Sequence, residues 1–315
     1  MMVPMNQEWD LIIIGGSAAG VAAALTAGRC LRRTLVVDAG TPRNRFAAHM
    51  HNTVGFDGKP PAEFVAAGRA EAQAYGVEFL SGTVTRLREE GTGLEVTIDV
   101  AGEGSADGRA GARVLRARRV LLATGASDDL PAIPGVERFW GKSVLHCPYC
   151  HGYEVANQRL GVIATSPMSA HQATLLTQWT KKLTVFTQGV ELAGMERLRA
   201  NGVRIVESPV ISLKSENERL AGVRTQEGEY PVDAVFLGST LRLNIGFAEE
   251  LNLATKETPM GVVLDVDHAG ATSHPKVWAA GNVSNPGATV PVAAAAGSQA
   301  AAVINMSLVE EDLEG

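Results

Sequence analysis

Residues 10–20 read Asp-Leu-Ile-Ile-Ile-Gly-Gly-Ser-Ala-Ala-Gly, and an Ala-rich run follows to about Arg29. The unbroken apolar run at 11–14 is the pattern of a strand buried on both faces of a parallel sheet. Glycines at 15, 16 and 20, between such a strand and a helix, give the setting of a dinucleotide-binding turn. Gly15 makes the tight turn, and Gly20 lets helix and strand pack closely. Gly16, Ser17, Ala18 and Ala19 lie between them, where a helix N-terminus offers free N–H groups and a positive dipole end to a pyrophosphate. Ser17 stands where a middle glycine is usual, and it is small enough to allow a close approach. A second buried strand, 34–38, ends in Asp38, 23 residues beyond Gly15, with Ala39 beside it. An acid there favours a ribose 2′-hydroxyl over a 2′-phosphate, so FAD and NAD both fit.

The surroundings agree with an α/β chain. At 315 residues, length alone suggests about two domains. Hydrophobic residues make up 45% and charged residues 20%, enough to build a core and too apolar for intrinsic disorder. A net charge of −6 argues against a basic nucleic-acid surface. No apolar run approaches the roughly 18 residues of a membrane span, so no membrane partner is expected. The start, MMVPMNQEWD, lacks a basic n-region and a cleavage pattern, so a cytoplasmic location is expected. Helices are expected at 61–75 and 170–179, a hairpin or β-meander around 89–112, and a strand running into Ala123-Thr124-Gly125. Further strands are expected at 160–163, 183–186, 203–206, 234–237 and 277–282, and a helix at 292–305.

Two of the three cysteines fall in His146-Cys147-Pro148-Tyr149-Cys150-His151. Zinc would need ligands beyond these six residues, and no second CxxC supplies them, so no metal site is expected. Covalent haem, which the Cys-x-x-Cys-His spacing also matches, would require export. A redox disulfide suits an intracellular α/β protein, with the flanking imidazoles lowering a thiol pKa and carrying protons. A buried structural pair is the remaining alternative. Cys30, in the first helix, reads as a small core residue.

Taken in order, the 15–20 turn, the ATG turn, the CxxC in a second α/β block and Ala280-Gly281-Asn282 before a helix resemble the low-molecular-weight thioredoxin reductases. The GGSAAG loop, Pro42-Arg43-Asn44-Arg45 and Cys-Pro-Tyr-Cys-His-Gly-Tyr-Glu are most similar to the branch that includes the gliotoxin and holomycin dithiol oxidases. The resemblance implies two Rossmann-like, three-layer ββα domains, usually in a homodimer. The FAD domain would be split, with halves at 1–125 and 239–315 and a CxxC-bearing, NADPH-like domain inserted at 126–238. It implies that Gly15, Gly16, Gly20 and Asp38 hold the ADP part of FAD, with Arg43 and Asn44 near the adenosine and Asn52 near the isoalloxazine. Ala123, Thr124 and Gly125 would close the first half of the FAD domain, and Gly281 and Asn282 would meet the ribityl and pyrophosphate. It also implies that Cys147 exchanges with substrate and Cys150 faces the flavin.

This chain departs from the reductase pattern at three places. Asn282 replaces the usual Asp. His151 follows the second cysteine where reductases carry an Asp, and a neutral imidazole can take protons from an incoming dithiol. His146 is either a pocket wall or a second proton carrier. Finally, residues 164–170, Ala-Thr-Ser-Pro-Met-Ser-Ala, lack the glycines of a nucleotide cradle, and Thr187-Gln188-Gly189 brings no arginine pair, which argues against NADPH. The expected activity is therefore an FAD-dependent thiol–disulfide oxidoreductase that oxidises a small dithiol and passes electrons to dioxygen. The alternatives are a reductase of a small disulfide, driven by NADPH, ferredoxin or another electron-donor protein, and a non-catalytic FAD-binding redox sensor.

Overall fold

The computed structural model describes residues 8–104 and 110–314. The first seven residues, and positions 105–109 of the stretch read as a β-meander, lie outside the described residues. Contacts divide the chain into two units: Met1–Arg43, Ala62–Ser127 and Leu241–Gly315 form the first, Asn44–Pro61 and Asp128–Thr240 the second. The segment Asn44–Pro61, which the sequence reading left in the first half of the FAD domain, groups instead with the CxxC-bearing unit.

The first unit is built on a parallel sheet whose order in space is Glu78–Glu90, Thr34–Asp38, Trp9–Ile14, Ala110–Leu122, Val277–Ala279. Strand Gly93–Gly104 pairs antiparallel with both Glu78–Glu90 and Ala110–Leu122, so the long ends of these strands rise into a three-stranded meander. The side chains of the central strands alternate between two cores, as the two-residue period of a strand requires. Ile12, Ile14, Leu35 and Val37 pack under the meander with Val96 and Ile98. Leu11, Ile13, Val36 and Leu121 pack under helices Ala18–Arg29 and Val290–Glu314, with Ala23, Ala27, Ala300 and Ile304. Alanines on both helices allow backbones to approach, and Gly297 lies directly against the Ala19 carbonyl.

The second unit repeats the layering. A parallel sheet runs Arg204–Val206, Leu183–Phe186, Leu160–Ile163, Ala234–Leu237, Val144–Leu145. Ile163, Phe186, Val235 and Leu237 face the antiparallel strands Val210–Glu216, Arg219–Thr225 and Glu229–Pro231. Leu160, Val162, Val185 and Phe236 face helix Ser169–Leu176 and helix Met195–Ala200. Both units are thus Rossmann-like three-layer ββα folds.

The last helix, Val290–Glu314, runs well past the 292–305 expected from its Ala-rich centre. It is the one described helix long and apolar enough, by length and composition, to cross a membrane. Here its buried face, including Ala293, Ala300, Ile304 and Leu308, belongs to the core of the first unit. Its charged end is held by ion pairs that a hydrophobicity pattern does not reveal. Arg118 contacts Asp10 at 3.0 Å, Glu311 at 3.0 Å and Asp312 at 2.6 Å, and Arg32 contacts Asp312 at 2.7 Å. The hydrogen bonds from Arg32 and Arg118 hold the Asp312 carboxyl below its ordinary range. A depressed carboxylate stabilises the fold above its unfolded pKa, and that contribution is lost as pH falls through the folded value. Arg118→Ala is expected to cost about 1–2 kcal/mol, as several partly exposed pairs go together. Hydrogen exchange should then rise selectively over residues 309–314 at pH 7, while acidification should produce the same local opening in the unaltered protein.

Candidate active site

The turn after the first strand gathers most of the residues expected to hold a nucleotide. Gly15 has φ +106°, and a Cβ there would lie 2.3 Å from the Ala123 carbonyl oxygen, which places residues 123–124 against the turn. A Cβ at Gly20 would lie 1.9 Å from the Gly15 carbonyl oxygen, so the helix begins in direct contact with the turn. The Gly16 N–H donates to Asp38 Oδ1 at 3.1 Å. Ser17 is the N-cap residue, and its side chain makes no cap hydrogen bond. The first N–H groups of helix Ala18–Arg29 therefore have neither an intrahelical partner nor a side-chain cap, the arrangement that binds an anion. Thr124 Oγ1 is buried without a hydrogen-bond partner. An orphaned hydroxyl beside an open helix N-terminus fits a polar ligand.

Gly281 closes the same region, with its virtual Cβ 3.2 Å from that of Ala19. The Asn282 amide group donates to the carbonyls of Asn285, Pro286 and Ala288 at 3.1–3.3 Å. Its Nδ2 thus folds the 285–288 loop, and only its oxygen remains for a ligand. An Asp at this place could donate to none of the three carbonyls at neutral pH. Arg43 donates to the Pro286 carbonyl at 3.2 Å, so it braces the same loop. Ala39 is exposed beside Asp38, and Gly125, φ +62°, completes the ATG turn. The fit is to the ADP part of FAD.

Asn44 and Asn52 lie in the second unit. Asn52, at φ +59°, donates from Nδ2 to the carbonyl of Tyr149, at the middle of the CxxC, at 2.6 Å. Asn52, which the family resemblance places near the isoalloxazine, holds the CxxC turn through its amide nitrogen.

Cys147 and Cys150 form a disulfide, with Cα atoms 5.3 Å apart. Cys147 caps the short helix Pro148–His151, and its Sγ accepts the Cys150 N–H at 3.2 Å. After reduction that N–H would stabilise negative charge on Cys147 Sγ. Tyr149 meets Trp179 edge to face, with ring centroids 6.1 Å apart. The carbonyl of His146 accepts Gln172 Nε2 at 2.6 Å, which fixes the residue before the disulfide. His151 follows it, with Nδ1 enclosed and without a hydrogen-bond partner. Burial pushes its pKa down; Glu154 opposes that shift and His51 adds to it. Burial thus favours the neutral ring, the form able to accept a proton.

The second unit's own βα turn offers no comparable cradle. The Thr165 N–H donates to Ser169 Oγ at 3.2 Å. Ser169, Ala170 and His171 donate to Ser166, Pro167 and Met168, and Pro167 has no N–H. With Thr165, Ser169, Ala170 and His171 engaged and Pro167 lacking an N–H, this turn offers a pyrophosphate fewer free donors than the first one.

Residues 9–297 match the model of the pyridine nucleotide-disulphide oxidoreductases. The chain belongs to this family. It is 28% identical over 333 aligned residues to a thioredoxin reductase, sirT, of Leptosphaeria maculans, covering 97% of this chain and 96% of that one. It is 35% identical to thioredoxin reductase tcpT of Claviceps purpurea, over 61% of this chain and 60% of the fungal one. Among solved structures, HlmI is similar at 39% identity and TM-score 0.86, covering 98% and 94% of the two chains. An oxidoreductase from Agrobacterium tumefaciens is similar at 35% identity and TM-score 0.87, covering 96% and 99%. The protein is an FAD-dependent oxidoreductase of the thioredoxin reductase-like kind.

Sequence reasoning gave no role to His51, Asp57 or Glu154. Glu154 follows His151 by one helical turn's spacing, a signal visible in the CHGYE run. His51 carried no signal, because its meaning depends on a fold contact across about 100 residues of chain. For the nucleotide turn, Gly20→Ala is expected to yield a colourless protein of lower Tm, because its Cβ meets backbone. Ser17→Gly should keep the flavin. Absorbance near 450 nm per mole of purified protein and a melting curve check both.

Proposed function

We propose that this oxidoreductase is an oxygen-dependent dithiol oxidase that closes a disulfide in a small substrate. The observation that carries the reading is the closed turn at 164–170. With several of its amides engaged internally, Pro167 lacking one, and no arginine pair after strand Leu183–Phe186, this turn is a poor cradle for NADPH. Reducing equivalents then enter from a dithiol at Cys147–Cys150. The resemblance of the GGSAAG and Cys-Pro-Tyr-Cys-His-Gly-Tyr-Glu stretches to the dithiol oxidases is consistent with this direction.

In the first step a substrate thiol gives its proton to His151, and the thiolate attacks Cys147 Sγ. The Cys147–Cys150 bond breaks, and Cys150 leaves as a thiolate. The second substrate thiol then releases its proton to solvent and attacks the substrate sulfur of the mixed disulfide, the substrate disulfide forms, and Cys147 leaves as a thiolate. The substrate has lost two electrons and two protons, and the CxxC holds the electron pair. The Cys150 N–H at Cys147 Sγ stabilises Cys147 as the leaving thiolate. When bound, FAD would supply a two-electron acceptor for the reduced CxxC, which dioxygen would reoxidise. Gly15, Gly16, Gly20, Asp38 and the 123–125 turn would hold the FAD.

That the fungal relatives are thioredoxin reductases favours a second reading, reduction of a disulfide. That direction needs an electron donor with its own docking site.

The experiment is aerobic turnover with a small dithiol while oxygen and peroxide are followed. One hydrogen peroxide per disulfide, with no dependence on NADPH, is expected; absence of oxygen uptake with every dithiol tried would overturn the reading. His151→Ala should retain FAD and lower the rate by about 10²–10⁴-fold at pH 7, the usual contribution of a positioned base. The deficit should shrink toward pH 9, where substrate thiols ionise unaided. Stopped-flow rates across pH separate this from a structural defect, which would be equal at all pH values.

A further inference from the structure

The peptide group that joins Tyr149 to Cys150 carries a hydrogen bond at each end. Its carbonyl accepts Asn52 Nδ2 at 2.6 Å, and its N–H donates to Cys147 Sγ at 3.2 Å. A carbonyl oxygen only accepts, so the Asn52 atom that meets it is the amide nitrogen. The same N–H is shared with the Cys147 carbonyl at 3.1 Å, which the His151 N–H also meets, at 3.2 Å. Asn52 and the disulfide turn both belong to the CxxC-bearing unit. Three features hold Asn52 against that carbonyl. Its backbone is left-handed, φ +59°, a conformation Asn adopts more readily than most residues with a side chain. Its own N–H donates to Asp57 Oδ1 at 2.9 Å. The loop around it is closed at its neck by the Met50–Lys59 pairing and by the Gly58 N–H to the Met50 carbonyl.

A peptide group is conjugated from its oxygen to its nitrogen. A donor at the carbonyl draws electron density from the N–H and makes it a better donor in turn, by about 10–30% per bond in such a chain. The gain is largest where the acceptor is ionised, because charge-assisted hydrogen bonds are about twice as strong as neutral ones. In the disulfide, Cys147 Sγ is a weak acceptor. As a thiolate it competes strongly with the Cys147 carbonyl for the shared N–H. The bond made by Asn52, outside the reactive pair, is therefore felt most at Cys147 when that sulfur carries charge.

We propose that Asn52 is a positioning residue of the disulfide centre: through the Tyr149–Cys150 peptide it strengthens the N–H that receives negative charge on Cys147 Sγ. The inference goes beyond the oxidase reading, because a Cys147 thiolate takes part in thiol–disulfide exchange in either direction, whatever the final electron acceptor. In the step it serves, the second substrate thiolate bonds to the substrate sulfur of the mixed disulfide. The bond from that sulfur to Cys147 breaks, the electron pair leaves on Cys147 Sγ, and the substrate proton has gone to solvent. The titratable side chains on the turn are His146, Tyr149 and His151, with Glu154 just after it. On the two elements bonded to the turn they are His51, Asp57 and Lys59 of the Asn52 loop and His171 of helix Ser169–Leu176. All of them are retained in the variants that test the proposal.

The test reads the Cys147 thiol by itself. In the Cys150→Ser flavoprotein the 147–150 disulfide cannot form, and the backbone N–H at position 150 is kept. Alkylation of Cys147 by iodoacetamide is followed across pH by mass spectrometry of its peptide, which separates it from Cys30. The pH midpoint of the rate reports the thiolate, and the plateau at high pH reports access. Adding Asn52→Gly keeps the left-handed backbone, removes the donor and leaves the carbonyl to water. It is expected to raise the midpoint by about half a pH unit. Asn52→Asp, of the same shape but unable to donate, should raise it further, and part of that rise should persist at about 1 M salt, where its charge is screened. A purely structural role would move the plateau and leave the midpoint in place. In parallel, labelling the disulfide form with nitrogen-15 cysteine gives amide resonances for Cys30, Cys147 and Cys150. Asn52→Gly should move the Cys150 amide proton upfield and leave that of Cys30 in place. An unchanged midpoint in Asn52→Gly, a rise in Asn52→Asp that salt abolishes, or an unmoved Cys150 amide proton would overturn the proposal. Failure of the oxidase reading would look different: these shifts would stand, yet the unaltered protein would consume no dioxygen with a dithiol.

Discussion

A backbone N–H can serve one strong acceptor at a time, and the two βα turns of this chain differ in whether theirs are still free. At 15–20 the chain ends a strand in glycine, starts a helix without a side-chain cap, and leaves the first amides open. At 164–170 the same topological position is closed by Ser169 Oγ and by turn hydrogen bonds, with Pro167 removing a donor. The sheets behind the two turns are alike, and each unit stacks an antiparallel layer, a parallel sheet and helices. The functional difference between the units therefore lies in a handful of amides. The first turn offers a pyrophosphate more free donors than the second.

The disulfide centre follows the same economy of local contacts. Pro148 starts a single helical turn, and the Cys150 N–H of that turn points at Cys147 Sγ. Placing His151 at the end of this turn encloses Nδ1 and lowers the imidazole pKa, which favours the neutral ring. Asn52 and Gln172 hold carbonyls on either side of Cys147, at Tyr149 and His146, from two separate elements. The reactive pair is thus held through its backbone, which leaves the sulfurs and the histidines for chemistry.

What the sequence disclosed was whatever local periodicity controls. Strands 10–14, 34–38, 160–163, 183–186 and 234–237 and the glycine turn were legible because each is encoded by adjacent residues. The length of the last helix was not, because Glu311 and Asp312 read as a polar tail until Arg118, nearly 200 residues earlier, is brought beside them. Residues 44–61 were read with their sequence neighbours, while the Asn52–Tyr149 contact spans 97 positions. Asn282 was legible as a departure from Asp, but its use in folding the 285–288 loop needed coordinates. His51 shows the same limit at the site itself, since its two carboxylates come from its own loop and from beyond the CxxC.

The central claim is that electrons enter at the disulfide from a dithiol and not from a nicotinamide. Its most direct test is anaerobic stopped-flow absorbance of the purified flavoprotein, mixed in turn with NADPH and with dithiothreitol. The account predicts that dithiothreitol bleaches the flavin band completely and that NADPH at a large excess leaves it unchanged over the same interval. Rapid, stoichiometric bleaching by micromolar NADPH would contradict it.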